Sequence, residues 1–478
     1  MASCSCHRFE PILNRRDWLR TSAAGFGYLA LAGLLGAESD TARADSGASN
    51  PLAPRAPHFT PRAKRVIFLF MHGGPSQVDT FDYKPLLTRD HGKPLPFAKP
   101  RVFSSQTGNL LKSPWSFRQY GQSGAWVSEL FPHVAQCVDD LCIINSMHGS
   151  NSRHGGALLE LHTGSDTFVR PSMGSWITYG LGTENQDLPG FITVCPTLSH
   201  GGVNAFSSAF LPAVYSATAI GNAGTSSDRA KIPFIVNADG TPRDVQRIEL
   251  DLVQQLNNEH LASAGPDSTL ESRINSFELA FRLQTTAPEL QDLSSESESI
   301  QKLYGLDNPT TANFGRQCLM ARRFAERGVR FIQVTHSYKW DQHEKLKAEH
   351  AKNALEVDQP IAALLTDLKS RGLLDDTLVL WGGEFGRTPV AQGDDGRDHN
   401  PQGYTMWLAG GGVRGGLVYG KTDDYGYYSV ENKVHLHDLH ATILHLLGLD
   451  HTKLTYRFAG RDFRLTDVHG EIVHEIFA

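Results

Sequence analysis

Cysteine is scarce: the chain of 478 residues has six. Cys4 and Cys6 fall near the start, and none of the other four (Cys137, Cys142, Cys195 and Cys318) sits in a C-x-x-C pair. That excludes a disulfide framework and a cysteine-built zinc site, and leaves room for one bridge in an oxidising compartment. Blocks of lysine and arginine are also missing. With a formal net charge of −6, nothing recommends nucleic acid or an anionic membrane surface as a partner. There is no internal repeat and no closed metal motif such as H-E-x-x-H. What the chain does have in quantity is histidine, 21 residues placed near glycines and aspartates rather than in one tract. Such a distribution points weakly to metal chemistry. The 40% apolar content is enough for a substantial α/β core, as one large domain with insertions or two smaller ones.

Residues 1–44 read as a targeting segment. Arg15-Arg16-Asp17-Trp18-Leu19-Arg20 is a twin-arginine signature, followed by the apolar run Thr21–Ala37 and the small-x-small cleavage site Ala42-Arg43-Ala44. An uncleaved membrane anchor is the alternative. The run is short and rich in Gly, Ala and Ser, which favours cleavage and a mature form with no stable membrane span. Cleavage would remove five basic and four acidic residues, taking the net charge from −6 to −7. The expected destination is the bacterial periplasm or beyond, with the twin-arginine translocase as partner during export. Residues 45–62, rich in Pro, Ser and Ala, read as a flexible leader, and 63–478 as one α/β domain with long loop insertions.

Continuous apolar runs mark strands buried on both faces. These are Arg65–Met71, Leu141–Asn145, Val329–Thr335 and Thr377–Trp381, with Phe191–Val194, Pro233–Val236 and Thr405–Ala409 as further candidates. Helical spacing covers 243–284, 312–327, 344–371 and 438–447, for example Val245, Ile248, Leu252 and Leu256. A short helix is expected over Glu129–Val138, and a glycine-rich turn opening a helix over Gly149–Gly164. The stretch from 83 to about 128 shows little periodicity, and Asp292–Ser299 reads as a solvated loop. Strands alternating with helices predict a mostly parallel sheet flanked by helices.

Three of these strands run into polar clusters: His72 with Asp79, then His336 through Asp341 and His343, then Glu384 followed by the loop 396–399 with Asp398 and His399. Parallel strand ends share one edge of a sheet, so distant residues can meet there. Mixed imidazole and carboxylate ligands suit zinc, manganese or iron. Each group has an ordinary structural alternative. His72 could bond a turn, Asp79 could cap the next segment, Asp341 and His343 could cap the helix over 344–371, and Glu384 could pair with Arg387 or Arg397.

These residues carry a resemblance. HGGPSQVDTFD (72–82), Glu278 to Arg282, RRFAERGVRFIQV (322–334), WDQH (340–343), GGEFGRTP (382–389), GRDHNPQG (396–403) and DLHATILHLLGLDH (438–451) resemble the secreted, sulfatase-like proteins grouped as domain of unknown function 1501. That group lies within the alkaline phosphatase and sulfatase superfamily. The resemblance implies an alkaline-phosphatase-like α/β fold with metals at the carboxyl edge of its sheet. It sets His72 at the place of the first-strand metal aspartate, Glu384 at that of the next aspartate, and His399 at that of a later metal histidine. Asp341 and His343 stand for a D-x-x-x-H pair with shorter spacing. Phe385 occupies a position usually held by His or Asn. The C-x-P-S-R nucleophile signature is absent, and its slot falls at His154, with Ser150 and Ser152 nearby.

The function so implied is an exported metal-dependent hydrolase of phosphate, phosphonate or sulfate esters, on a small-molecule or polysaccharide substrate. His72, Asp341, His343, Glu384 and His399 would hold a divalent metal, with Asp79 and Asp398 as ligands or just behind them. Zinc is expected first, with manganese, iron or calcium as alternatives. Ser152 or His154 would be the nucleophile, and Arg153, Arg387 or Arg397 would bind the non-bridging oxygens. The rival expectation is a non-catalytic exported binding or scaffold protein that keeps the fold and one structural metal.

Overall fold

Strand β1 (Arg65–Met71) runs through the centre of the main sheet, and every residue in it is buried. Its side chains alternate between two apolar layers. Val66, Phe68 and Phe70 enter one core cluster; Ile67, Leu69 and Met71 enter the other. A strand covered on both faces needs no polar side, which is why the sequence shows an unbroken apolar run. Full burial of each such side chain contributes about 1.5–3 kcal/mol, and Phe68→Ala would cost about 3–5 kcal/mol.

A computed structural model describes residues 50–98, 107–232, 240–265 and 268–478. In chain order, β1 is followed by β2 (Thr107–Leu110), β3 (Leu141–His148), α1 (His154–Thr163), α2 (Met173–Leu181), β4 (Phe191–Val194) and β5 (Thr218–Ile220). Then come α3 (Arg243–Ala264), α4 (Ser268–Gln291), α5 (Ala312–Glu326), β6 (Phe331–His336), α6 (Leu346–Ser370) and β7 (Thr377–Gly382). The last are β8 (Gly386–Gln392), β9 (Gly396–Asn400), β10 (Tyr404–Ala409), β11 (Leu417–Tyr419), β12 (Val434–His435) and α7 (Leu436–Leu446).

The main sheet has the order β11-β3-β10-β7-β1-β6-β4-β5, with β12 paired to β3. Only β10 runs antiparallel to its neighbours, so the sheet is mostly parallel, as expected. Helices α5 and α6 cover one face through Leu319, Phe324, Val357 and Leu364. Helices α1, α2 and α7 cover the other through Leu158, Trp176, Leu439 and Ile443. The protein is therefore α/β, with helices on both faces of its sheet. A smaller antiparallel sheet, β9-β8-β2, stands beside it.

Several expectations need correction. Residues 51–62 are not a loose leader: Leu52 is buried, and the amides of Arg55, His58 and Arg62 donate to Leu181, Gly448 and Leu446. The stretch after 83 holds β2 and the hairpin Phe117–Tyr120 with Ala125–Ser128. Within Asp292–Ser299, Asp292 and Ser297 cap short helices, and Glu296 pairs with the buried Arg322. The stretch 396–399 is a strand. Helix α6 begins after Lys345, which sits in the left-handed region and not under a cap from Asp341 or His343. Helical spacing over 243–284 resolves into α3 and α4, and the stripe Val245, Ile248, Leu252 and Leu256 is exposed. Cys137, Cys142, Cys195 and Cys318 are all free thiols. The targeting segment 1–44 and the candidate strand Pro233–Val236 lie outside the described residues. Among the described residues no helix is long and apolar enough to cross a membrane.

Candidate metal centre

The parallel register aligns the carboxyl ends of the central strands, with Met71 beside His336 and Phe70 beside Gly382. Beyond β1 comes His72, and then Gly73 and Gly74 at φ 116° and 86°. A Cβ on Gly73 would stand 2.7 Å from the Asp341 amide nitrogen, so only glycine lets the two loops approach so closely. Beyond β6 come Tyr338, Asp341 and His343; beyond β7 comes Glu384. The turn after β3 brings Ser152 and Arg153, with His154 opening α1. His399 arrives from β9, where it is the register partner of Arg387.

Asp341 is the point on which these groups converge. His343 Nε2 and His399 Nε2 lie 2.9 and 3.1 Å from Oδ1, and His154 Nε2 lies 3.3 Å from Oδ2. Arg387 Nη2 donates to Oδ1 at 2.7 Å, and the Tyr338 hydroxyl donates to Oδ2 at 2.9 Å. Each of the three imidazoles has its other nitrogen against an acceptor. His154 Nδ1 meets Glu384 Oε1 at 2.6 Å, His399 Nδ1 meets the Ser152 carbonyl at 2.7 Å, and His343 Nδ1 meets Gln392 Oε1. A proton held on Nδ1 turns the Nε2 lone pair toward Asp341, which is how ligating histidines are aimed.

Without a cation, three lone pairs would face one carboxylate, and two of the rings, His154 and His343, hold their second proton more tightly. Hydrogen bonding to Asp341 lifts His343 above its ordinary pKa. Burial pushes His154 down, yet its bonds to Asp341 and Glu384 leave it above its usual value. Burial keeps His399 below. Asp341 stays far below the carboxylate range: burial would raise it, but the three imidazoles and Arg387 prevail.

His72 presents a different signal. It is fully buried, and neither ring nitrogen has a hydrogen-bond partner. Burial holds it neutral, with its pKa near 4. An orphan imidazole in the interior is costly unless something else answers it. Ligand atoms of His72, His154 and His200 lie within 4.8 Å of one another. So do those of His154, Asp341 and His399, and those of His343, Asp398 and His399. Imidazoles with one or two carboxylates fit a zinc, manganese or iron ion.

The structure brings together His72, His154, Asp341, His343, Glu384, Asp398 and His399, and sets other expected residues apart. Asp79 and Arg397, both fully buried, answer each other in two bonds of 2.7 and 3.1 Å. Arg397 also donates to the carbonyls of Thr388 and Leu111, so neither an ion nor an ester oxygen meets this pair. Arg387 is spent on the carbonyls of Gly73, Gly74 and Trp340 and on Asp341; it braces the loops instead of reaching a substrate. His154, expected as a nucleophile, lies between Glu384 and Asp341 with a ligand's geometry. Ser152 contributes its carbonyl, and Arg153 is exposed beside it. Glu384 pairs with neither arginine; it accepts from His154 and from the Gly73 amide, and its pKa falls to about 2. Burial opposes that fall, and the His154 bond leads it. Phe385, which the resemblance set at a ligand position, stacks on His399 at 4.5 Å and meets His154 at a tilt, with 4.9 Å between ring centroids. It shapes the cradle from its apolar side.

His200 and Tyr338 escaped the sequence reading. His200 (φ 56°) follows β4, and its ring stacks 4.9 Å from that of His154; Tyr338 (φ 36°) follows β6. Positive φ at a non-glycine residue is strain of the kind found at functional sites. The rule that strand ends carry ligands could have found His200, six residues after Val194.

Residues 63–477 match the family described as "Protein of unknown function (DUF1501)". No curated protein matches the chain. Among solved structures, the lipoteichoic acid synthase LtaP from Listeria monocytogenes aligns over 87% of this chain and 79% of its own, at 10% identity and a TM-score of 0.36. The PsFucS1 sulfatase from Pseudoalteromonas sp. gives 82% and 68%, at 13% identity and 0.34. The alkaline phosphatase from the Antarctic bacterium TAB5 gives 81% and 98%, at 10% and 0.33. At identities and scores this low the likeness carries no argument of its own. The family match covers nearly the whole of the described chain, and on it the protein belongs to the DUF1501 family.

Proposed function

We propose that the protein is an exported metal-dependent hydrolase of phosphate, phosphonate or sulfate esters, with its centre at Asp341. One observation carries the reading: His154, His343 and His399 each have one ring nitrogen against an acceptor and the other turned on Asp341. A divalent ion there would supply Lewis acidity toward an ester oxygen and lower the pKa of water. His154, His343, His399 and Asp341 would hold it, while Glu384, Gln392 and the Ser152 carbonyl keep the rings aimed. Ligand atoms of His72 and His200 lie within 4.8 Å of His154 and belong to the same centre. A cavity of about 410 Å³ opens at Asp341, lined by Tyr338, Lys339, Gln342, Glu349, Lys352 and Asn353. Its two lysines suit an anionic ester. The Tyr338 hydroxyl, held on Asp341, stands at the mouth and can orient a leaving oxygen. Since His154 is taken between two carboxylates, water is the nucleophile this arrangement favours. Export to the periplasm or cell surface rests on the twin-arginine signature alone.

The second reading is a non-catalytic exported binding protein with a structural ion. The inward turn of Arg387 and Arg397 favours it, because both guanidinium groups are buried and spent on protein acceptors. Metal analysis of protein purified without chelator, with turnover of nitrophenyl phosphate, phosphonate and sulfate esters, separates the two. Bound zinc or manganese with turnover that Asp341→Asn abolishes supports the hydrolase. Bound metal with no turnover of any ester supports the second reading, and protein that takes up no metal sinks both.

A further inference from the structure

Four histidines that the Asp341 centre leaves out gather farther along the same sheet edge. His148 ends β3 and is the register partner of His435, which ends β12. His437 lies in the first turn of α7, and His469 comes from the C-terminal segment. Their rings follow one another at 5.0 Å from His148 to His435, 4.9 Å to His437 and 5.0 Å to His469. With Ser150, Asp438 and Glu471 they line a cavity of about 580 Å³.

One ligand atom from each of Glu160, His435 and His437 lies within 4.8 Å of the other two. His437 is aimed as a ligand is: its Nε2–H donates to the Gly164 carbonyl at 3.0 Å, which leaves the Nδ1 lone pair free. Glu160 is buried, and its Oε2 accepts from the Ser150 amide at 2.9 Å.

We propose that Glu160, His435 and His437 form a second metal site, for a borderline transition ion such as Zn²⁺, Co²⁺ or Ni²⁺. Two imidazoles against one carboxylate disfavour Mg²⁺ and Ca²⁺, which take oxygen ligands. His435 Nδ1 accepts from the His437 amide at 3.2 Å, so its proton sits on Nε2, 3.1 Å from Ser150 Oγ and 3.5 Å from Glu160 Oε1. That tautomer bars His435 from taking a proton from Ser150, so the trio is not a hydrolytic triad. Loading an ion on Nε2 would require the other tautomer: the Nε2 proton passes to solvent and Nδ1 takes one up, so the ring stays neutral and Nδ1 gives up the long contact with the His437 amide. Asp438 keeps the other half of the cap by accepting from the His435 amide at 2.9 Å.

The site touches the Asp341 centre through shared backbone. Helix α1 carries His154 in its first turn and Glu160 in its second. The preceding loop presents Ser150 to His435 and the Ser152 carbonyl to His399. An ion at Glu160 therefore braces the loop and helix that aim two imidazoles at Asp341.

The test uses the full chain, stripped by chelator and then titrated with Zn²⁺ and Co²⁺, with ions counted by mass spectrometry and Tm followed. His437→Ala should bind one ion per chain fewer than the parent and lose part of the ion-dependent rise in Tm. Asp341→Asn should still bind at the second site and, with Co²⁺, give visible absorption bands that vanish on adding His437→Ala. Should His437→Ala fail to fold, Glu160→Gln makes the same comparison. An unchanged ion count in His437→Ala and Glu160→Gln, or an Asp341→Asn chain that binds no transition ion, overturns the proposal. Neither outcome depends on ester turnover, so the hydrolase reading stands or falls separately.

Discussion

Asp79 and Asp341 both lie just beyond strand ends of the main sheet, yet their surroundings differ in a way that separates structure from function. Asp79 has one guanidinium, held at two points, and both partners are wholly out of solvent. Its charge is answered once and completely. Asp341 faces Arg387, Tyr338 and three imidazoles, keeps 14% of its side chain exposed, and opens on a cavity. One carboxylate cannot neutralise four cationic or proton-hungry neighbours, so that cluster has donors to spare. A closed pair contributes to the fold, and the over-subscribed carboxylate beside solvent is where the proposed ion would sit. Strand β9 shows how fine the division is: Arg397 goes to Asp79, and His399, two residues on, goes to Asp341.

The largest effect comes from breaking the closed pair. Arg397→Met leaves Asp79 buried without its partner, which costs about 3–5 kcal/mol. Thermal unfolding should show a large fall in Tm, with metal affinity in the surviving folded fraction little changed. Asp341→Asn should do the reverse. Its effect on zinc affinity should exceed about a hundredfold, since even residues behind the ligands are worth about 10–100-fold. The ion-free Tm should move less than in Arg397→Met, because the side-chain amide keeps an acceptor oxygen for Arg387, which also retains the carbonyls of Gly73, Gly74 and Trp340. If both variants lowered Tm equally and left metal binding intact, the distinction between the two carboxylates would be gone.

The sequence already carried much of this contrast, though unevenly. β1, β6 and β7 were legible because strands covered on both faces must be apolar throughout, and their ends named His72, Asp341, His343 and Glu384. Hidden were the pairings across the small sheet. Asp79 and Arg397 are separated by 318 positions, and a one-dimensional pattern does not say which carboxylate a buried guanidinium will choose. The strand character of 396–399 was masked for the same reason: Gly, Arg, Asp and His lack an apolar period, and they form a strand because Gln392, Ala391 and Arg387 lie opposite. His200 was missed because it stands alone beyond its strand end, six residues after Val194, where the other strand ends carry several ionisable groups together; the fold brings it to His72. The packed stretch 51–62 looked loose because its contacts are backbone bonds to distant carbonyls.

A third carboxylate sharpens the comparison through pH. Asp358 is buried with no lysine or arginine paired to it among the described residues, and accepts from the amides of His133 and Val134, at 2.9 and 2.8 Å. Burial lifts its pKa from 3.8 to about 6, against the pull of those two bonds. A group raised on folding stabilises most when protonated. Its contribution is full below about pH 4 and is lost as pH rises through 6. A shift of that size amounts to about 2–3 kcal/mol. In denaturant titrations at fixed pH, the parent should lose stability between pH 4 and 6 from this group, and Asp358→Asn should flatten that part of the curve. An identical slope in the variant would mean that two amide donors balance a buried carboxylate as well as a guanidinium does.

Glu384 gives the smallest and most discriminating effect, because it answers neither an arginine nor solvent. It accepts from His154 Nδ1 at 2.6 Å and from the Gly73 amide at 3.1 Å, and these fix both the ring and the glycine turn. Glu384→Gln keeps the shape and one acceptor oxygen but removes the charge that holds the proton on Nδ1. His154 can then adopt either tautomer, and the one with its proton on Nε2 offers no lone pair toward Asp341. Metal affinity should fall about 10–100-fold, by calorimetry or competition with a chelating dye, and excess metal should restore turnover. Asp341→Asn, which would lose a ligand of the proposed ion, should recover far less. Equal rescue of the two would place Glu384 and Asp341 in one role, and an unchanged affinity in Glu384→Gln would mean that packing against Phe385 alone suffices to aim His154.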